Sequence, residues 1–117
     1  MEKESADYLV RLTPTPERQI LYNNLISRLK TEKGFDNTTS LFDSLDVLVL
    51  MANHNQDAAL QNVIQNKYHP TVLTESVGWF VKNKGIKGSA TFKMDSNFNP
   101  FDGGEYNFNA NENAFGC

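Results

Sequence analysis

Cysteine is almost missing from this chain: Cys117, the last residue, is the sole thiol among 117 residues. One cysteine cannot cross-link the chain to itself. Without a partner cysteine or a histidine at ligand spacing it also excludes a cysteine-based metal knuckle or a thiol–histidine nucleophile. Its expected role is that of a small apolar residue in a strand. Charge of either sign is sparse as well, with 11 Lys and Arg against 14 Asp and Glu, a net charge of -3 and a pI near 5.3. The cations stand singly, so there is no basic stripe to displace counterions from a phosphate backbone, and nucleic acid is not an expected partner. Long apolar runs are missing too. Nothing approaches 18 consecutive apolar residues, and the first twenty, MEKESADYLVRLTPTPERQI, hold early acidic residues and no signal-type apolar core. The expectation is a soluble protein, made in a cytoplasm, without a membrane partner.

Uncharged polar residues, chiefly Asn, fill the space that charge and grease leave. Hydrophobic content is 39% and mean hydropathy -0.49. Aromatics still make up 11% of the chain and net charge is small, which is not the composition of a disordered segment. A chain of this length supports one modest core.

Residues 1–13 read as an N-terminal arm. Tyr8, Val10 and Leu12 alternate with Leu9 and Arg11, a pattern that could pair as an edge strand, although a partly ordered terminus is the plainer expectation. A helical lobe is expected over 14–70. Thr15 suits an N-cap, Pro16 the first helical position and Glu17 the positive end of the helix dipole. Leu21, Tyr22, Leu25, Ile26 and Leu29 then recur at three- and four-residue spacing, predicting a helix over 16–33 closed by Gly34 as a left-handed C-cap. Ser40 is placed to cap a short helix carrying Leu41, Phe42, Leu45 and Leu48. The run Val47–Met51 is too short for periodicity to decide between buried strand and buried helix. Asn55 or Asp57 caps a further short helix that turns Ala58, Ala59, Leu60, Val63 and Ile64 inward.

From Thr71 the texture becomes β. TVLTESVGWFVK is rich in β-branched and aromatic residues, and SATFKM alternates Ala90, Phe92 and Met94 with Thr91 and Lys93. Gly85, Gly88, Gly103 and Gly104 mark turns. Asn recurs at 97, 99, 107, 109, 111 and 113 around Tyr106 and Phe108, and Ala114–Cys117 reads as the opening of a further strand. Three or four strands leave open edges and a bare face that other polypeptide must cover.

Catalytic and ligand-binding chemistry is thin. His54 and His69 lie fifteen residues apart with no second ligand at helical spacing, the arrangement of ordinary hydrogen-bonded histidines rather than a metal site. Asn97, Asn99, Asp102 and Glu105 surround Gly103 and Gly104, but the spacing suits a turn whose side chains bond their own backbone better than a calcium loop. Asn37-Thr38-Thr39 has the form of a glycosylation sequon, with no export signal to give it meaning. No nucleophile elbow, phosphate loop or tuned carboxylate pair is present, so neither an enzyme nor a cofactor is expected. Trp79 with Phe80, and Tyr106 with Phe108, have the makings of a sugar-stacking platform, although such aromatics more often fill a core.

The order of three segments, PERQILYNNLISRLK, LFDSLDVLVLMANHNQDAALQNVI and KGIKGSATFKMDSNFNP, resembles a family of bacteriophage virion-associated proteins. In that family a short helical head precedes a concanavalin-like or laminin-G-like β-sandwich. Leu45, Asp46, Leu48, Ala52, Ala58, Ala59 and Leu60 match its helical run, and Gly85, Gly88, Asn97, Phe98, Asn99 and Pro100 match its turn and strand. Ile86 stands where the family has an aromatic, and Phe92 near its usual Tyr. The resemblance spans residues 16–117 and implies an α+β fold, in which the helical lobe is followed by antiparallel strands that begin a jelly-roll type sandwich over 71–117, incomplete here. It further implies a structural role on the exterior of a virion, as a head fibre, capsid decoration or tail component synthesised in the host bacterium. The helical part would anchor to capsid or tail proteins and the chain would pair with copies of itself as dimer or trimer. Leu21, Leu25, Leu29, Trp79, Tyr106 and Phe108 are the residues expected at interfaces. An adhesin module contacting host-surface glycans through Trp79, Tyr106 or Phe108 is the alternative.

Overall fold

The structure, a computed structural model, describes residues 3–34 and 36–99. Its α+β order is α1 (Lys3–Val10), α2 (Pro16–Thr31), α3 (Leu41–Ser44), α4 (Gln56–Ala59), β1 (Thr71–Thr74), β2 (Phe80–Val81), β3 (Gly85–Ile86) and β4 (Lys93–Asp95).

The arm, read as a partly ordered terminus or an edge strand, is a helix. Ser5, Tyr8, Leu9 and Leu12 recur at three- and four-residue spacing and are the buried residues of this segment, while Val10, which strand alternation groups with Tyr8 and Leu12, is 79% exposed. Tertiary contact decides between the two periodicities. The Tyr8 ring meets the Tyr22 ring edge-on at 5.4 Å, and Lys30 Nζ donates to Glu4 Oε2 at 2.8 Å. Each anchor sits one helical turn from the next, a spacing an extended arm cannot match. The bond to Lys30 also holds the Glu4 carboxyl below its ordinary range.

Helix α2 begins as its sequence requires: Thr15 Oγ1 accepts from the Arg18 N–H, and Pro16 occupies the first turn. It ends two residues earlier than expected. Glu32 leaves the helix in an extended conformation, and its N–H still reaches the Arg28 carbonyl at 2.9 Å. Gly34 is therefore not a left-handed cap. A Cβ at this position would lie 2.8 Å from Ser44 Oγ, so a side chain here would require Ser44 to shift. Lys33 and Ser40 bridge, Leu41 N–H donates to the Glu32 carbonyl at 2.8 Å, and the exposed Asp36 carboxylate accepts from the Thr38 and Thr39 N–H groups and from the Thr39 hydroxyl. Those bonds hold its pKa far below the usual carboxylate range. Ser40 then caps α3 through the Asp43 N–H, and Asn55 caps α4 through the Ala58 N–H. The ambiguous run 47–51 is neither regular helix nor named strand. It carries one antiparallel bridge, Val49 to Asn62, and is otherwise irregular.

Tyr8, Leu9, Leu12, Tyr22, Ile26, Phe42, Ala58 and Val63 form the core, with Leu29, Leu48, Leu50 and Ile64 packed against it. The inward face of α2 is centred on Tyr22 and Ile26 rather than on the whole leucine stripe: Leu25 and Leu29 are half-buried and Leu21 is 62% exposed.

The β region consists of two antiparallel pairs, β1 with β4 and β2 with β3. Thr71 pairs with Asp95 and Val72 with Met94, and the register then slips by one residue, so that Thr74 faces Lys93. The β2–β3 turn closes through a Lys84 N–H bond to the Val81 carbonyl at 2.9 Å, with Asn83 at φ 62° and Gly85 at φ 127°. Asn tolerates the first of these conformations, and glycine alone takes the second without strain. Two pairs of two strands are a small antiparallel β region, without a complete sandwich among the described residues.

Ile26 and Leu21 give the sharpest contrast on α2. Ile26→Ala should cost about 2–5 kcal/mol by leaving a hole in a fully enclosed site. Leu21→Ala should change stability by less than about 0.5 kcal/mol. Urea unfolding of both variants measures the difference, and equal losses would contradict the packing described here.

Candidate interaction surface

Polar groups of the lobe are mostly spent on holding the chain. Asn62, fully buried, uses every hydrogen-bonding group it has. Its Oδ1 accepts from the Leu48 N–H at 3.0 Å and the Ile64 N–H at 3.1 Å, while its Nδ2 donates to the Asp46 and Lys67 carbonyls at 3.1 and 2.9 Å. Its own N–H donates to His69 Nδ1 at 3.0 Å, and its carbonyl accepts from Arg11 Nη1 at 2.9 Å. Asn53, also fully buried, donates to the Leu50 and Ala58 carbonyls at 3.1 and 3.2 Å, and its Oδ1 accepts from the Tyr22 hydroxyl and the His54 N–H. Two side-chain amides thus stand in for the regular hydrogen bonding that 45–55 and 60–69 largely lack.

Hydrogen bonds of the same kind hold both histidines. His69 accepts at Nδ1 from a backbone N–H, which makes Nε2 the protonated nitrogen, donating to Asn66 Oδ1 at 2.9 Å. Burial, and then the Arg11 guanidinium, lower its pKa from 6.5. His54 contacts Asn53 Oδ1 at 2.8 Å and the Leu12 carbonyl at 3.3 Å. Burial, and then Tyr22, push the Tyr8 phenol up to about 12. Arg18 reaches the Tyr22 hydroxyl at 3.0 Å, the Ala52 carbonyl at 3.4 Å and Asn83 Oδ1, while the Asn83 N–H donates to the Asn53 carbonyl at 2.8 Å. The β2–β3 hairpin is therefore tied to α2 and to the Asn53 loop. Among the described residues no group of three or more His, Cys, Asp or Glu is placed to hold a metal, and no helix is long and apolar enough to cross a membrane.

What faces solvent is apolar in several places. Val10, Ile20, Leu21, Leu73, Val77 and Val81 are all exposed, Val77 completely. Of the residues expected at interfaces, Leu21 lies in this set, whereas Leu25 and Leu29 are half-buried and Leu29 packs on the core. Trp79 is only 6% exposed. Its ring stacks on Phe92 at 5.5 Å and 26° and meets Phe80 edge-on at 6.0 Å, so of the two roles open to it, this ring fills a small core of the β region. Tyr106 and Phe108 lie outside the described residues. Sequence reasoning missed Val10 and Ile20: alternation grouped Val10 with Tyr8 and Leu12, and Ile20 fell between the positions of the leucine stripe. The buried pair Asn53 and Asn62 has no periodic signal at all.

No protein-family model, no curated protein and no solved structure matches the chain.

Asn62→Ala strips the backbone of four partners and should cost at least about 3 kcal/mol, since each buried group left unsatisfied carries about 1–3 kcal/mol; urea titration measures it. His69 gives the pH dependence. Its folded pKa lies below 6.5, so its contribution is complete above 6.5 and is lost as acid protonates first the unfolded and then the folded chain. The fall in unfolding free energy between pH 7 and pH 5 should therefore be smaller in His69→Gln than in the parent, and equal slopes would rule His69 out as the cause.

Proposed function

We propose that this chain is a structural, non-enzymatic component of a bacteriophage particle, a head fibre or capsid decoration on the virion exterior whose helical lobe anchors it to capsid or tail proteins and whose copies associate symmetrically. One observation carries the reading: apolar side chains on α1, α2 and the strands face outward beside two-stranded sheets whose edges are open among the described residues, while the buried amides of Asn53 and Asn62 are bonded within the lobe. A surface of that kind is useful when other polypeptide covers it. The resemblance over residues 16–117 supplies the phage setting, and the strands are proposed as the opening of a jelly-roll type sandwich. The glycan-binding alternative draws no support from Trp79, whose face is taken by Phe92.

The particle itself is the test. Phage purified by density gradient from a host that makes this chain should contain it at a fixed copy number, and antibody against the helical lobe should label the particle exterior or a defined vertex. A chain that stays in the soluble fraction and is absent from intact particles would refute the assignment.

A further inference from the structure

Helix α2 has a second face that its packing leaves open. Glu17, Ile20, Leu21, Asn24, Arg28 and Thr31 are all exposed, and at 3.6 residues per turn they fall within a stripe roughly 100° wide, on the side away from Tyr22 and Ile26. The stripe is acidic at the helix N-terminus and basic near the C-terminus, with Ile20 and Leu21, each 62% exposed, toward the middle. Such a sequence complements itself when reversed.

We infer that this stripe is an isologous contact between two copies of the chain, in which the α2 helices run antiparallel about a two-fold axis passing between Tyr22 and Asn23. That axis sets Glu17 opposite Arg28 of the second copy, twice by symmetry, and Leu21 opposite Asn24. Ile20 and Leu21 of the two copies then lie about one helical turn apart, a single apolar patch between two ion pairs. Antiparallel packing also opposes the helix dipoles favourably. The second copy is favoured over an unrelated partner because the charges match in this register alone. An axis at Asn24 sets Ile20 against Arg28, and one between Ile20 and Leu21 sets Glu17 against Asn24. Arg28 is available for the contact. Its own-chain partner, Glu32 at 3.5 Å, is an exposed pair in the weaker order, cation before anion, at a helix C-terminus that disfavours the acid.

The size of the contact fixes its strength. A 16-residue helix is about 24 Å long, and one stripe of it buries far less than the roughly 800 Å² per partner of a standard stable interface. The pairing is therefore weak between free chains, with a Kd of roughly 10 µM to 1 mM, and strong only where copies are held close together on a repeating surface. The inference rests on the assembly reading above for its biological use, but its test does not involve the particle. A dimer in solution with no chain on virions would sink that reading and leave this one standing, and the reverse outcome would do the opposite.

Sedimentation equilibrium of the 117-residue chain, from about 10 µM to about 1 mM at low salt, should show reversible monomer–dimer exchange that weakens as ionic strength rises. Leu21→Gln, an exposed change neutral toward the helix dipole, should weaken dimerisation at least about fivefold with unchanged circular dichroism. Glu17→Arg should weaken it similarly, and Glu17→Arg with Arg28→Glu should restore it to within about threefold. A monomer across the whole range, a trimer, a Leu21→Gln variant that dimerises like the parent, or a charge swap that restores nothing would each overturn the proposal.

Discussion

The lobe depends on two buried carboxamides. Segments 45–55 and 60–69 have almost no regular structure to satisfy their backbone groups, and a buried N–H or C=O left alone costs as much as a lost core methylene or more. Asn62 resolves this for the second segment through six hydrogen bonds, to Asp46, Leu48, Ile64, Lys67, His69 and Arg11. Asn53 does the same around Leu50, Ala58, His54 and Tyr22. Without these amides Leu48, Leu50, Val63 and Ile64 would have no fixed backbone from which to reach the core. An Asn-rich chain with modest apolar content can fold in this way because a few of its amides stand in for helix and sheet.

The same economy explains why the surface stays apolar in places. Two short helices and two longer ones enclose a core of eight buried side chains, and the strands add a small satellite under Trp79. Neither cluster is wide enough to cover Val10, Ile20, Leu21, Leu73 and Val77. Two two-stranded sheets cannot shelter one another either, since isolated pairs of strands are marginal in water.

Punctuation was the most legible feature of the sequence. Thr15 with Pro16, and Ser40, each open the helix they were expected to open, and of the two candidates Asn55 and Asp57 it is Asn55 that opens α4, because a cap is a local contract between a side-chain oxygen and an N–H three residues on. The change to β at Thr71 was equally plain. Phase and length were not. Residues 5–12 fit both an alternating strand, through Tyr8, Val10 and Leu12, and a helix, through Ser5, Tyr8, Leu9 and Leu12, and the Tyr22 ring and Lys30 ammonium decide between them. On α2 the adjacent apolar residues Leu21 and Tyr22 leave the stripe uncertain by about one residue's rotation, and the Tyr22 bond to Asn53 fixes it. Gly34 was read from its position as a cap, whereas its close neighbour is Ser44, a residue ten places on that no local pattern could indicate.

Helix α2 joins the interior of the lobe to its exterior. On one side Tyr22 and Arg18 lock it to Asn53, Ala52 and the β2–β3 hairpin through Asn83; on the other it presents Glu17, Ile20, Leu21, Asn24 and Arg28. A helix pinned at only one point can roll, and rolling by one residue would carry Leu21 toward the core and Tyr22 away from its partners. The hydrogen bonds from Tyr22 and Arg18, together with Ile26 fully enclosed one turn along, remove that freedom. Internal amides and external stripe are therefore parts of one constraint: the buried side of α2 sets the direction in which its exposed side points, and a shallow outer contact can be specific because the helix bearing it cannot turn.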